Sequence, residues 1–290
     1  MNRFVRNSFL IKQVKSRRKY TLPSNYKVIF EADINGCMQR IEAYKGESIL
    51  LTGSNGAGKT QLLLSLFNDY KAQVILEDLS NINNSNITYN DNINNSNITN
   101  NDNNINNSNI TYNTNTINTI LLTHDEFLSV ISFLDQEHNI MPGTIYDNLF
   151  INNNISNTNI SNTNNTNNTN ILNNIYIKYP ILYNKLHKYI TGNYYFYNDT
   201  TPYHIKKDIC LLRALYLAEH RDILLLDGVD IEYVEEILKS NRDKVILMVI
   251  SNSSNTNTNI LYNDNNSNIL YNDNNIYNLF TKTYNIKNKE

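Results

Sequence analysis

Residues 53–60 of this 290-residue chain read GSNGAGKT, set between the apolar run SILLTG at 48–53 and the helix-like stretch TQLLLSLFNDY at 60–70. A buried strand that ends in a glycine-rich turn and passes straight into a helix leaves few folds open. Backbone N–H groups at the start of such a helix face outward without partners, and the helix dipole favours a negative ligand there. Gly53, Gly56 and Gly58 are three of only eight glycines in the chain, so composition does not account for their clustering. Each lets backbone come close to a ligand without a Cβ in the way. The segment therefore reads as a phosphate-binding P-loop formed by Gly53, Ser54, Asn55, Gly56, Ala57, Gly58, Lys59 and Thr60. Lys59 would reach the β and γ phosphates, Thr60 would place its hydroxyl on Mg²⁺, and the expected ligands are ATP and Mg²⁺. The bland alternative is a glycine turn with an accidental lysine, and the strand–loop–helix context weighs against it.

The remaining ordered pattern supports a fold built around that loop. VISFLDQ at 130–136, DILLLDG at 222–228 and KVILMVISN at 244–252 are short apolar runs expected as strands, while 180–190 and 205–219 fit helices. Such alternation predicts an α/β fold, a P-loop NTPase with a mainly parallel sheet flanked by helices. Asp227 ends the run ILLL and is placed to hold the Mg²⁺ shell.

Composition sets the boundaries. Asparagine-dominated tracts at about 81–119, 152–171 and 253–275 are too polar to offset their ordering entropy and are expected as disordered insertions. Repeats within them, such as INNSNIT and ILYNDNN, are too short and polar for solenoid units. The first nineteen residues carry Arg3, Arg6, Lys12, Lys15, Arg17, Arg18 and Lys19 and no acid, the first carboxylate being Glu31. Residues 1–22 thus form a basic arm, open to reading as an organelle presequence, a solvated tail or a linker. The net charge of −2 gives no electrostatic case for a nucleic-acid partner. Cys37 and Cys210 stand far apart without a CxxC, which points to neither a disulfide framework nor a zinc site. No run approaches the roughly 18 to 20 apolar residues of a membrane helix.

Taken together, KGESILLTGSNGAGKTQLL at 45–63, ISFLDQEHNIMPGTIYDNLF at 131–150 and DICLLRALYLAEHRDILLLD at 208–227 resemble the nucleotide-binding domain of ATP-binding cassette (ABC) transporters, exporter type. The resemblance implies an ATP-binding domain over 23–290 with a helical subdomain at about 144–204. It puts Gln136 in the family's glutamine position, contacting Mg²⁺ and the attacking water, so that the implied catalytic residues are Gln136 and Asp227. Thr60, Gln136 and Asp227 would hold the metal. The implied partners are a transmembrane transporter subunit and a second ATP-binding domain. The implied place is at a membrane through that partner, on the cytosolic or organelle-matrix side. Tyr26 lies twenty residues before Gly46 and is open to two readings, an adenine-stacking aromatic or one of 21 tyrosines placed by chance.

The departures fall on catalytic positions. The family's LSGGQ signature aligns with Thr201, Pro202, Tyr203, His204 and Ile205, and no glycine lies between Gly192 and Gly228. The family's glutamate after Walker B is Gly228, and its switch histidine aligns with Asn252, or with Ser251 if the strand is shifted. Losing a positioned base costs roughly 10²- to 10⁴-fold in rate, about 3–5 kcal/mol of barrier. Asp230 and Glu232 are the carboxylates that could substitute for it, and Asp230 is the remnant of the dimer-contact loop. Two functions follow as expectations: an ATPase subunit that couples ATP binding and hydrolysis to transport, or a catalytically impaired regulatory or structural relative. A GTPase is disfavoured because NKLH at 184–187 lacks the final aspartate of a base-reading motif.

Overall fold

A computed structural model describes residues 20–68, 72–80, 118–149, 173–251 and 276–286. Most of the basic arm, nearly all of the asparagine tracts and Asn252 lie outside the described residues.

Two sheets form the framework. Four strands pair antiparallel: β1 (Tyr26–Ile34), β2 (Cys37–Tyr44), β4 (Ala72–Asp78) and β5 (Asn118–Leu121), in the order β2-β1-β4-β5. Five pair in parallel: β3 (Ser48–Thr52), β6 (Ile131–Leu134), β7 (Ile223–Val229), β8 (Val245–Ile250) and β9 (Lys282–Asn285), in the order β6-β7-β8-β3-β9. The four expected parallel strands are all present. The antiparallel sheet is additional, and the polar tract read as continuing to 119 ends in it, where Asn118 and Thr119 pair with Asp78 and Glu77.

Strands β3, β6, β7 and β8 are buried on both faces, which is why they read as unbroken apolar runs, whereas the edge strand β9 is largely exposed and was not expected. Leu224, Leu226, Ile246 and Met248 point to one core, and Ile223, Leu225, Val245 and Leu247 to the other. The first core is closed by α3 (Ile145–Leu149), α4 (Pro180–Thr191), α5 (Tyr203–Ala218) and α6 (Ile231–Ser240). The second is closed by α1 (Lys59–Asn68), α2 (His124–Val130) and the antiparallel sheet. Helix α2 displaces the start of the strand expected at 130. Its capping box, in which the Thr123 hydroxyl accepts from Glu126 N–H and Glu126 answers the Thr123 N–H, nucleates a helix right up to β6.

Helix α4 starts at Pro180, which needs no donor at the first helical position. Its next two amides are satisfied from another element. The buried Glu236 carboxylate of α6 accepts from Ile181 N at 2.9 Å and Leu182 N at 3.2 Å. The segment PGTI-x-x-N at 142–148 is likewise a structural unit. Asn148 is fully buried, accepts from Met141 N–H, and donates to the Met141 and Thr144 carbonyls.

Candidate functional site

Strand β3 ends at Thr52 and α1 begins at Lys59, so the loop between them sits at the C-terminal edge of the parallel sheet. Ligands of open α/β sheets bind at that edge. Gly53, Gly56 and Gly58 take φ values of 141°, 82° and 99°, a region that L side chains rarely adopt. At Gly58 the space is closed as well, because a Cβ would lie 2.5 Å from Ile34 Cγ2 in the β1–β2 hairpin. Ser54, Asn55 and the glycines before Ala57 are exposed, whereas Ala57 is buried and anchors the loop. Lys59 folds back across it, its Nζ donating to the carbonyls of Gly53 at 2.8 Å and Ser54 at 3.0 Å.

Three further residues come together there. Thr60 Oγ1 donates to Gln136 Oε1 at 3.2 Å, joining the start of α1 to the segment that leaves β6. Asp227, near the end of β7, is 1% exposed, and its Oδ2 has no hydrogen-bond partner among the described residues. Burial pushes its carboxyl up from the ordinary value to about 6, against the pull of the Thr60 hydroxyl and Lys59, with Asp135 raising it further. A buried carboxylate oxygen without a donor, next to a threonine hydroxyl and a glutamine carbonyl, presents the oxygen set that suits a hard divalent cation. No cluster of three or more His, Cys, Asp or Glu capable of holding a metal occurs among the described residues. A cation here would share its shell with Thr60, Gln136 and the ligand.

The backbone around Asp227 is irregular. Leu226 pairs with Met248 and Val229 with Ile250, so β7 carries one residue more than β8 across this interval, a β-bulge. Gly228 occupies it at φ 75°, with open space beyond Gln136 Cγ at 3.7 Å. The two carboxylates considered as replacement bases are both engaged. Asp230 is bound by the Lys207 ammonium and the Ser251 hydroxyl, and Glu232 by the Lys185 ammonium.

Tyr26 is fully buried beneath the sheets, and its hydroxyl donates to the Asp222 carbonyl at 3.3 Å. It is a core residue, and the adenine-stacking reading does not hold. The segment aligned with the signature forms the beginning of α5. Pro202 precedes the helix, no side chain caps it, and Tyr203 is 57% exposed. The Tyr203 hydroxyl meets His138 Nδ1 at 3.2 Å. Burial, then the nearby Lys207 charge, pushes His138 down to about 4, so this buried histidine is neutral at physiological pH.

Sequence reasoning missed Lys207. Its signal was available: it shares a helical face with Cys210, Leu211 and Ala214, all buried, and a lysine in an apolar stripe needs a buried partner.

No protein-family model matches the chain, and no curated protein matches it in sequence. Among solved structures, a bacterial Atm1-family ABC exporter with ATP bound is similar at a TM-score of 0.47 and 12% identity, over 82% of this chain and 36% of that one. This chain thus spans about a third of that exporter's length. Among the described residues no helix is long and apolar enough to cross a membrane.

Proposed function

We propose that this chain is a nucleotide-binding domain of the ABC type, a P-loop NTPase relative that binds Mg-ATP through Gly53–Thr60 and hydrolyses it slowly or not at all. The observation that carries the reading is the meeting of three positive-φ glycines, Lys59 and Thr60 with Gln136 and a buried, donor-less Asp227 oxygen at one sheet edge. The loop amides and Lys59 would take the phosphates, the lysine exchanging two carbonyls for phosphate oxygens. Thr60, Gln136 and Asp227 would hold Mg²⁺, which when bound neutralises phosphate charge. The reading gives 1–22 as the basic arm and 23–290 as the binding domain, with α3 and α4 belonging to a helical subdomain at about 144–204.

The impaired form of the reading is favoured by three features. Gly228 offers no carboxylate, and its left-handed backbone within a bulge differs from what a glutamate would adopt. Asp230 and Glu232 are neutralised by lysines. Tyr203 and His204 stand where the resemblance would put the signature glycines, and the Tyr203 hydroxyl is engaged with His138. The chain would work with a transmembrane transporter subunit and a second ATP-binding domain, as a nucleotide-responsive subunit whose binding energy rather than turnover is used. It would lie against a membrane through that partner, on the cytosolic or organelle-matrix side.

The test is ATP titration of the purified chain with and without Mg²⁺, with phosphate release followed in the same sample. Saturable Mg-dependent binding that is lost in Lys59→Ala, with phosphate release at the blank rate, is the expected result. Turnover comparable to ordinary ABC domains and abolished by Lys59→Ala would refute the impaired reading, and absence of binding would refute both.

A further inference from the structure

Beyond the phosphate loop, a closed polar network stands at the C-terminal rim of β7 and β8. Lys207 of α5 is only 8% exposed. Its ammonium donates to Asp230 Oδ1 and, at 2.9 Å, to Ser251 Oγ. The Ser251 hydroxyl donates to Asp230 Oδ1 at 2.7 Å, and the Ser251 N–H donates to the Val229 carbonyl at 2.9 Å. Three elements that are distant in sequence are therefore joined at the first residues after the Asp227–Gly228 bulge.

Asp230 is the N-cap residue of α6, a place where an aspartate ordinarily accepts from its own helix. It makes no such bond and turns instead to Lys207 and Ser251. Gly228 is buried within β7, and a Cβ there would meet only Gln136. The exit of the bulge is held by the pairing of Val229 with Ile250, and the network adds side-chain bonds to that exit at Asp230 and Ser251. What the bulge carries is Asp227, whose unpartnered oxygen sits beside Thr60.

We infer that Lys207 is a positioning residue for the magnesium-linked part of nucleotide binding. By holding Asp230 against Ser251, it sets the backbone angle at which Asp227 presents its carboxylate to the cation. This rests on the reading of the site as an Mg-ATP site. Partners that orient a metal-binding group rather than touching the metal are worth about 10- to 100-fold in metal affinity. Their loss shows in the cation dependence of ligand binding and not in cation-free binding.

The experiment measures ATP affinity of the full chain in Mg²⁺ and in EDTA for the parent, Lys207→Met, Lys207→Arg, Asp230→Asn, Ser251→Ala and the Lys207→Met/Asp230→Asn double variant, with a thermal melt for each. The parent's gain in affinity on adding Mg²⁺ should fall about tenfold in Lys207→Met and Asp230→Asn. It should fall no further in the double variant and return in Lys207→Arg, while affinity in EDTA stays within about twofold. Should Lys207→Met lack a cooperative melt, Ser251→Ala removes the hydroxyl's bonds to Lys207 and Asp230 while leaving that ion pair in place, and should still lower the gain. An unchanged Mg²⁺ gain in the folded variants, or equal losses in Mg²⁺ and EDTA, overturns the inference and leaves the binding reading intact. A parent that binds no ATP overturns the binding reading and this inference with it.

Discussion

Replacing Asp227 by asparagine isolates the cost of keeping an ionised carboxylate in the site before any cation arrives. The group's pKa rises from 3.8 to about 6, chiefly because it is buried. Since its folded-state value lies above its unfolded one, its contribution to stability is fully present below about pH 3.8 and is lost as pH rises through about 6. That rise corresponds to about 3 kcal/mol in total, at about 1.4 kcal/mol per tenfold. Between about pH 4.5 and pH 7.5 linkage predicts a fall of about 2 kcal/mol, the remainder lying at lower pH. Asp227→Asn has the same shape and cannot ionise, so its stability should lack this fall. Any fixed penalty for burying the amide is the same at both pH values and cancels in the comparison.

The assay is urea unfolding of both proteins, free of nucleotide, at the two pH values. The stability of Asp227→Asn relative to the parent should be about 2 kcal/mol more favourable at the higher pH. Other titrating groups, including Glu236, are common to both proteins and drop out. A difference that stays constant within about 0.5 kcal/mol would mean that Asp227 is solvated or already paired, and the argument for a cation-seeking oxygen would fail. With Mg-ATP present, the parent should regain the lost stability and the asparagine variant should not.

Glu236 has a carboxyl pushed up to about 7 by burial, against two backbone amides that draw it down. The sign is the same, so stability falls from about pH 4.5 to about pH 7, and Glu236→Gln should flatten that part of the profile in urea titrations. Glu236→Ala should cost about 1 kcal/mol by uncapping α4, read from the same unfolding curves. Gly228→Glu should destabilise by about 1–2 kcal/mol, because a side chain is forced to φ 75°, and phosphate release should not rise. Asn148→Ala strips Met141 and Thr144 of buried partners and should cost about 1–3 kcal/mol, measured as a lower melting temperature with ATP affinity little changed.

Four strands of the parallel sheet were legible because they are buried on both faces and so stand out, as SILLT, ILLLD and VILMV do, against a polar chain, while the exposed edge strand β9 was not. The antiparallel sheet was not, since β4 and β5 are separated by an asparagine tract and β5 itself is exposed along its length. Residue type exposed the glycine loop, because glycine tolerates φ values such as those at 53, 56 and 58. Residue type could not place Tyr26, since an aromatic near a glycine loop looks the same in sequence whether it faces a base or the core. The instructive case is Gly228. Alignment presents it as a missing glutamate, a loss of one side chain that one substitution would restore. The pairing of Leu226 with Met248 and of Val229 with Ile250 places it in a β-bulge at φ 75°, a backbone that glycine takes without strain and that a single substitution would not relax. With Asp230 and Glu232 both held by lysines, the residues that could replace a base are committed elsewhere. On the proposed reading, a glycine loop beside a bulged strand whose neighbouring acids are paired with lysines suits holding a nucleotide better than cleaving it.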